Sequence, residues 1–234
     1  MERKLDLVKS YGRTFRNLIN VKVQTTKRSI RDVLKLSKDE DWAFLCTAMD
    51  IIGDTCLAID NFLRFGLDGP TRYDEDGERY LRLYGILSAT YIQQEAVLKL
   101  YQLVNVPPTL KKGRDMIQQL EIHHLRHKLC SHSLNYNDKN SNSIQTYVPI
   151  RVHLRGFNCE YMNNEEIKAH SVNLQKAIDA HLETMLEMLN SILDKAIKTF
   201  YKGQETCAEY LEFLQCLEDL RITQKGGIVS ELPD

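Results

Sequence analysis

From Glu165 to Tyr201 the chain contains neither glycine nor proline. Within that stretch Ile167, Leu174, Ile178, Met185, Leu189, Ile192, Ala196 and Phe200 recur at spacings that only a helix brings onto one face. A continuous helix of this extent reaches roughly 50 Å, longer than a small bundle is wide. Part of it is therefore expected to protrude or to pack against another subunit. Such a rod leaves little room for a sheet-based architecture, and the sequence predicts an all-α protein, an antiparallel helical bundle.

Other segments repeat the pattern. Helices are expected over 2–19 and 27–37, separated by the β-branched stretch VKVQTT, and over 40–65, where Trp42, Leu45, Met49, Ile52, Cys56, Ile59 and Leu63 form one stripe. FGLDGP stops that helix and the acidic TRYDEDGE loop follows. A helix over 78–104 directs Tyr80, Leu83, Leu87, Thr90, Tyr91, Gln94, Val97, Leu98 and Tyr101 toward the core, and NVPP ends it. A third long helix, 111–131, dissolves into the Asn-rich SLNYNDKNSNS. The period then changes: in YVPIRVHLRGFNCEYM, Ile150, Val152 and Leu154 alternate with Arg151, His153 and Arg155. A small β-hairpin insertion is expected near 144–162, its polar face either solvated or in contact with nucleic acid. A last helix covers 204–222, and the tail QKGGIVSELPD is expected to be mobile. These segments group as a basic N-terminal helical arm (1–38), a helical domain with the hairpin insertion (39–202), and a C-terminal acidic helix with its flexible tail (203–234).

The net charge of −1 hides an asymmetry. Residues 1–38 hold eleven Lys/Arg against three Asp/Glu, so the arm is +8 and the remainder −9. Such an arm reaches for nucleic acid, anionic lipid or a partner's acidic face, or packs on its own acidic body. The six cysteines are scattered without a CxxC pair, as expected of reduced thiols. The most apolar window, FLCTAMDIIGDTCLAIDNFL, is interrupted by Asp50, Asp54 and Asp60. A cytoplasmic protein with no membrane partner is expected.

Four of the seven histidines fall in HHLRHKLCSHSLNY, residues 123–136. Three readings compete. His123 and His127, four apart, share a helix face as zinc ligands do, with His132 or Cys130 as a third ligand. However, His124 stands where a zinc-helix glutamate belongs, and no second Cys/His cluster completes a structural site. Alternatively, Arg126, His127, Lys128 and His132 are cations at a helix C-terminus that answer its dipole. In the third reading, an imidazole exchanges a proton at a ribose hydroxyl while a guanidinium binds the phosphate. RNA carries its own nucleophile, so Arg126 and His132 form a minimal kit that needs neither metal nor cofactor. On a continuous helix these two residues point about 120° apart. They converge only if the helix frays before His132 or if two chains share the site.

Arg126, the polar His127, a five-residue gap and then His132, near the end of a core helix, resemble the motif of the HEPN superfamily of small α-helical domains. YLRLYGILSATYIQQEAVLKLY looks like the helix of a bacterial HEPN-like group in which a Gln-Gln-acidic-Ala segment (here Gln93 to Ala96) precedes the motif. The resemblance covers about 40–200. It implies a metal-independent endoribonuclease of toxin–antitoxin or antiphage, abortive-infection settings, acting as a homodimer whose two motifs meet in one cleft. It makes RNA the substrate and an antitoxin or defence-complex protein a partner. Arg126 becomes the group that orients phosphate and stabilises charge, His132 the general acid/base or a phosphate ligand, and His127 a polar supporter. Asp54 or Glu95 would supply an auxiliary carboxylate, and Lys128, Arg151, His153 and Arg155 would contact nucleic acid. His123 and His124 fall outside this spacing. HEPN toxins paired with nucleotidyltransferase antitoxins carry a Tyr two residues after the motif His. Here Leu134 stands there and Tyr136 lies two positions later, so that regulation is not implied. Superfamily members that have lost catalysis serve as nucleic-acid- or protein-binding modules, which is the alternative function.

Overall fold

A computed structural model of the chain describes residues 1–25, 27–71, 75–107, 110–138 and 143–227. Pro108, the centres of the TRYDEDGE loop and of the Asn-rich run, and the expected mobile tail beyond Gly227 lie outside them. The protein is mostly helical, with a two-stranded and a three-stranded antiparallel sheet. Its helices are α1 (Glu2–Gln24), α2 (Ile30–Leu34), α3 (Asp41–Phe65), α4 (Asp76–Leu103), α5 (Leu110–Gln118), α6 (Glu121–Arg126), α7 (Leu174–Phe200) and α8 (Ala208–Gln224). Strands β1 (Tyr136–Asp138) and β2 (Ser143–Gln145) pair with each other. Strands β3 (Tyr147–Pro149), β4 (Asn158–Asn163) and β5 (Lys168–Asn173) form the second sheet, with β4 in the centre.

The chain divides into two compact units, 1–56 with 93–115 and 182–234, and 57–92 with 116–181. In the first, α1 packs on α8. Leu5, Val8, Tyr11, Phe15, Leu18 and Ile19 of α1 are buried, as are Phe213, Leu217 and Leu220 of α8. Arg3 donates to the carbonyls of Thr223 and Gly227 at 2.8 and 2.7 Å, a cation placed on the negative end of α8. Lys4 pairs with Glu183 and Arg16 with Asp50. Of the fates open to the basic arm, these charges take the internal one. Lys22 lies 3.4 Å over the Tyr201 ring. That contact comes from within VKVQTT, through which α1 continues to Gln24 instead of stopping at residue 19. Packing outweighs the modest helix preference of the valines there.

Gln93 and Gln94 of α4 are fully buried. Gln93 donates its amide to Thr55 Oγ1 at 2.9 Å and approaches Cys56 Sγ at 3.4 Å, a polar clamp inside the first unit. Among the described residues α3 alone is long and apolar enough to cross a membrane by length and composition. Its stripe of Leu45, Met49, Ile52, Cys56, Ile59 and Phe62 is buried within the protein.

In the second unit the expected hairpin gives way to a different arrangement. Ile150 to Leu154 does not alternate in a strand: β3 ends at Pro149, Ile150 N–H makes one more bond to Glu160 O at 2.8 Å, and Arg151–His153 then forms one 3₁₀ turn. Val152 is exposed, while Leu154 is buried. The long rod is also shorter than expected. Residues 168–173 pair along the whole of β4, and α7 begins only where Asn173 Oδ1 accepts the Lys176 N–H at 2.9 Å, an N-cap. Ile167, placed on the helical stripe, sits exposed at φ 51 in the connection between β4 and β5. The helix expected over 111–131 is interrupted at 119–120, between α5 and α6.

A hook ties the sheet to the end of α3. Gly66 takes φ +60, Leu67 N–H donates to Gly156 O at 2.7 Å, and Gly156 N–H donates to Asp68 Oδ2 at 2.8 Å. A Cβ at Gly66 would lie 2.5 Å from the Gly156 carbonyl oxygen. Gly66→Ala is expected to lower unfolding stability by roughly 1–3 kcal/mol, the usual cost of a side chain forced into the left-handed region. Urea titration with an unchanged midpoint would show that the hook is dispensable.

Candidate functional site

The histidine-rich segment begins as α-helix and ends otherwise. After Arg126 the backbone widens into a π-helical turn, His127–Ser131, closed by a 2.9 Å hydrogen bond from His132 N–H to His127 O. Such single π turns often mark functional sites. The change in hydrogen-bond step places residues five apart over one another. The rings of His127 and His132 accordingly stack, 5.7 Å between centroids and 11° between planes. The segment does not fray, as had been one condition for convergence; it unwinds by one hydrogen-bond step.

Around this pair the second unit assembles three more side chains. His123 stands edge-on to His127 at 4.6 Å, and Tyr91 of α4 touches both, at 6.0 Å each. The Arg126 guanidinium lies 3.8 Å over the Tyr91 ring. Stacking occupies the face of a guanidinium and leaves its in-plane N–H donors for a planar anion. Among the described residues no carboxylate pairs with Arg126. Arg126 and His127 are half-buried and His132 is exposed, so neither member of the Arg126–His132 spacing is lost in the core. His123, which the spacing left out, belongs to the cluster. Tyr91, read as a core residue, is its aromatic floor.

The electrostatics follow from crowding. Burial first, then the neighbouring His127, His124 and Arg126, push His123 down to about 4. Burial, Arg126, His132 and His124 also lower His127. Both imidazoles are therefore neutral at pH 7 and available as proton acceptors. Burial raises the Cys130 thiol to about 11 and the Cys159 thiol to about 12, so neither is a thiolate at neutral pH. Among the described residues no group of three or more His, Cys, Asp or Glu is arranged to hold a metal ion.

The remaining predicted residues are dispersed. Lys128 turns away from the imidazoles, with Nζ lying 4.9 Å over Tyr147 and 5.6 Å over both Tyr136 and Tyr161. Arg151 reaches Asp76 at 3.7 Å, His153 pairs with Glu160, and Arg155 is exposed where it bridges to Asn158. These three do not form the one strand face expected of them, because the segment turns. Asp54 and Glu95 are exposed on α3 and α4, within the first unit. The tyrosines about Lys128 went unnoticed in the sequence. Their signal is an aromatic on each of β1, β3 and β4, legible only once the strands are known.

Comparison with protein-family models, curated proteins and solved structures finds no match for this chain.

Because the folded pKa of His123 is depressed, the unfolded chain takes up protons first as pH falls below about 6.5. The stability that depends on a neutral His123 is complete above that pH and is lost as pH falls toward about 4. The melting temperature is therefore expected to fall between pH 7 and pH 5. Removing the neighbouring cation with Arg126→Gln should raise the His127 pKa, read by NMR titration of the imidazole carbons. An unmoved His127 titration would separate the two side chains.

Proposed function

We propose that this chain is a HEPN-like helical domain acting as a metal-independent endoribonuclease. The observation that carries the reading is the widened turn that stacks His132 on His127 beside Arg126. In the proposed reaction Arg126 binds the scissile phosphate through its in-plane donors and stabilises the charge of the transition state. An imidazole takes the proton of the ribose 2′-hydroxyl, whose oxygen attacks phosphorus. The bond to the 5′-oxygen breaks, and that oxygen leaves with the proton that the imidazole had taken from the 2′-hydroxyl. His132, exposed beside the phosphate site, is the general acid/base. His127, held neutral, supports it.

The unit of action is a homodimer. Leu81 and Ile92 of α4 are 74% and 44% exposed, with Tyr84 between them, and Gly85 and Ser88 lie on the same exposed stripe. Large apolar side chains beside small ones are what a second helix packs against. In a cytoplasmic toxin–antitoxin or antiphage setting, an antitoxin or defence-complex protein would restrain the activity.

Purified protein in EDTA is expected to cleave RNA, with Arg126→Ala and His132→Ala each slowing cleavage by about 100-fold or more. Cleavage that survives both substitutions removes the mechanism. RNA bound but never cut favours the non-catalytic binding module. Leu81→Asp is expected to convert dimer to monomer, measured by light scattering on a sizing column; a wild-type monomer would overturn the homodimer.

A further inference from the structure

In the first unit the end of α1, the end of α7 and the start of α8 line a cavity of about 460 Å³, within the range that takes a small organic ligand. Lys22 and Tyr201 form its floor and are 9% and 2% exposed. Gln204, Thr206 and Glu209 are exposed at its mouth. Lys22 Nζ donates to Gln204 Oε1 at 3.1 Å and lies over the Tyr201 ring. This buried ammonium is thus answered by an amide oxygen and a ring face, and by no carboxylate among the described residues. Burial lowers its pKa, with the neighbouring Cys207 and Glu209 acting in the opposite direction.

The Tyr201 hydroxyl is the sharper clue. Among the described residues it is the one buried side-chain group without a hydrogen-bond partner, a state in which proteins rarely leave a polar atom. Burial, then the charges of Cys207, Glu209 and Glu212, push it up to about 12, so it keeps its proton and is a donor at neutral pH. The start of α8 adds further donors to the same wall. Its N-cap, Cys207, gives no side-chain hydrogen bond to the first turn. The backbone ladder begins only with Leu211 N–H on Cys207 O at 3.3 Å. The earlier N–H groups and the positive end of this seventeen-residue helix therefore stand at the cavity. Glu209, an exposed carboxylate, accepts from its own N–H and from the Cys207 thiol, which holds its pKa low.

An ammonium, a hydroxyl and a helix N-terminus around one space call for a negative group with several acceptor oxygens. A phosphate directs three such oxygens to different sides, whereas a carboxylate holds two in one plane. The wall also narrows what the phosphate is attached to. Lys22 covers one face of the Tyr201 ring, and Tyr210 and Phe213 lie against that ring at 5.9 and 6.3 Å between centroids. Tyr201 therefore offers no open face on which a base could stack. The Gln204 amide and the Thr206 hydroxyl at the mouth suit hydroxyl groups instead. We propose that this cavity binds the phosphate group of a small hydroxylated molecule, with Lys22, the Tyr201 hydroxyl and the α8 N-terminus on its oxygens. The site lies wholly within the first unit and stands independently of the ribonuclease reading.

Calorimetric titration of the full chain with glycerol 3-phosphate tests the site. Lys22→Met, which keeps most of the side-chain volume, is expected to weaken binding about tenfold or more, as loss of a hydrogen bond to a charged group does. Tyr201→Phe removes only a hydroxyl that has no partner. Its melting temperature should match or exceed that of wild type, while its affinity falls about threefold or more. Glu209→Gln should tighten binding by removing a like charge from the rim. No binding of glycerol 3-phosphate or of inorganic phosphate at millimolar concentration overturns the proposal, as does unchanged affinity in both Lys22→Met and Tyr201→Phe. If circular dichroism shows Lys22→Met to be unfolded, unchanged affinity in Tyr201→Phe alone overturns it. A Tyr201→Phe protein that melts well below wild type shows that the hydroxyl is already bonded and removes it from the site. Inorganic phosphate bound as tightly as the ester overturns the assignment to an ester and supports a site for phosphate itself. AMP bound more tightly than glycerol 3-phosphate overturns the choice of a hydroxylated molecule over a nucleotide.

Discussion

One backbone hydrogen bond, from His132 N–H to His127 O, organises everything of chemical interest in this molecule. A regular α-helix would have sent His132 to another face. The π turn instead returns it over His127, while Arg126, the last residue of α6, lies over Tyr91 and Lys128 lies over the tyrosines of the strands. The chain leaves the turn in the right place to be caught, since Tyr147 N–H donates to Ser133 O at 2.8 Å. The end of the helix and the start of the sheet thus stabilise each other.

The cluster concentrates cationic or potentially cationic groups where carboxylates are scarce. Its stability at neutral pH depends on His123 and His127 remaining neutral, which burial and the neighbouring cationic groups favour. A polyanion arriving at the site would relieve this repulsion. Local charge, not the net charge of −1, is therefore the relevant quantity. The basic N-terminal arm illustrates the same point from the other side: Arg3, Lys4 and Arg16 have partners within their own unit.

The helices were legible wherever an uninterrupted apolar stripe coincided with a clear stop, as in α3, which runs from Asp41 to Phe65 and stops at Gly66, and in α4. The first residues of the long glycine- and proline-free stretch were not. Lys168 to Asn173 has no strong local preference, and its fate is decided by six-residue pairing with β4 and by the Asn173 cap, both tertiary facts. Alternation misled at Ile150 to Leu154 because period-two polarity does not register the 3₁₀ turn at Arg151–His153, which takes the chain off the sheet after Ile150 bonds Glu160. In the site, residue types and spacing pointed to Arg126, His127 and His132. The π turn itself has no sequence signature, so the inclusion of His123 and Tyr91 could not be read in advance. The gathering of the strand tyrosines about Lys128 depends on strand register, which nothing local specifies.

The hook between Gly66 and Gly156 bears on the order in which the second unit comes together. The hydrogen bond from Gly156 N–H to Asp68 joins residues 88 positions apart, so its loop must be closed before the contact yields any gain. Helices α3 and α4, built from local contacts, form on a faster timescale than such a closure. The sheet is therefore the late-arriving layer of its unit, and with it come the tyrosines about Lys128. A nascent chain from which residue 156 has not yet emerged cannot make the hook that anchors the strands.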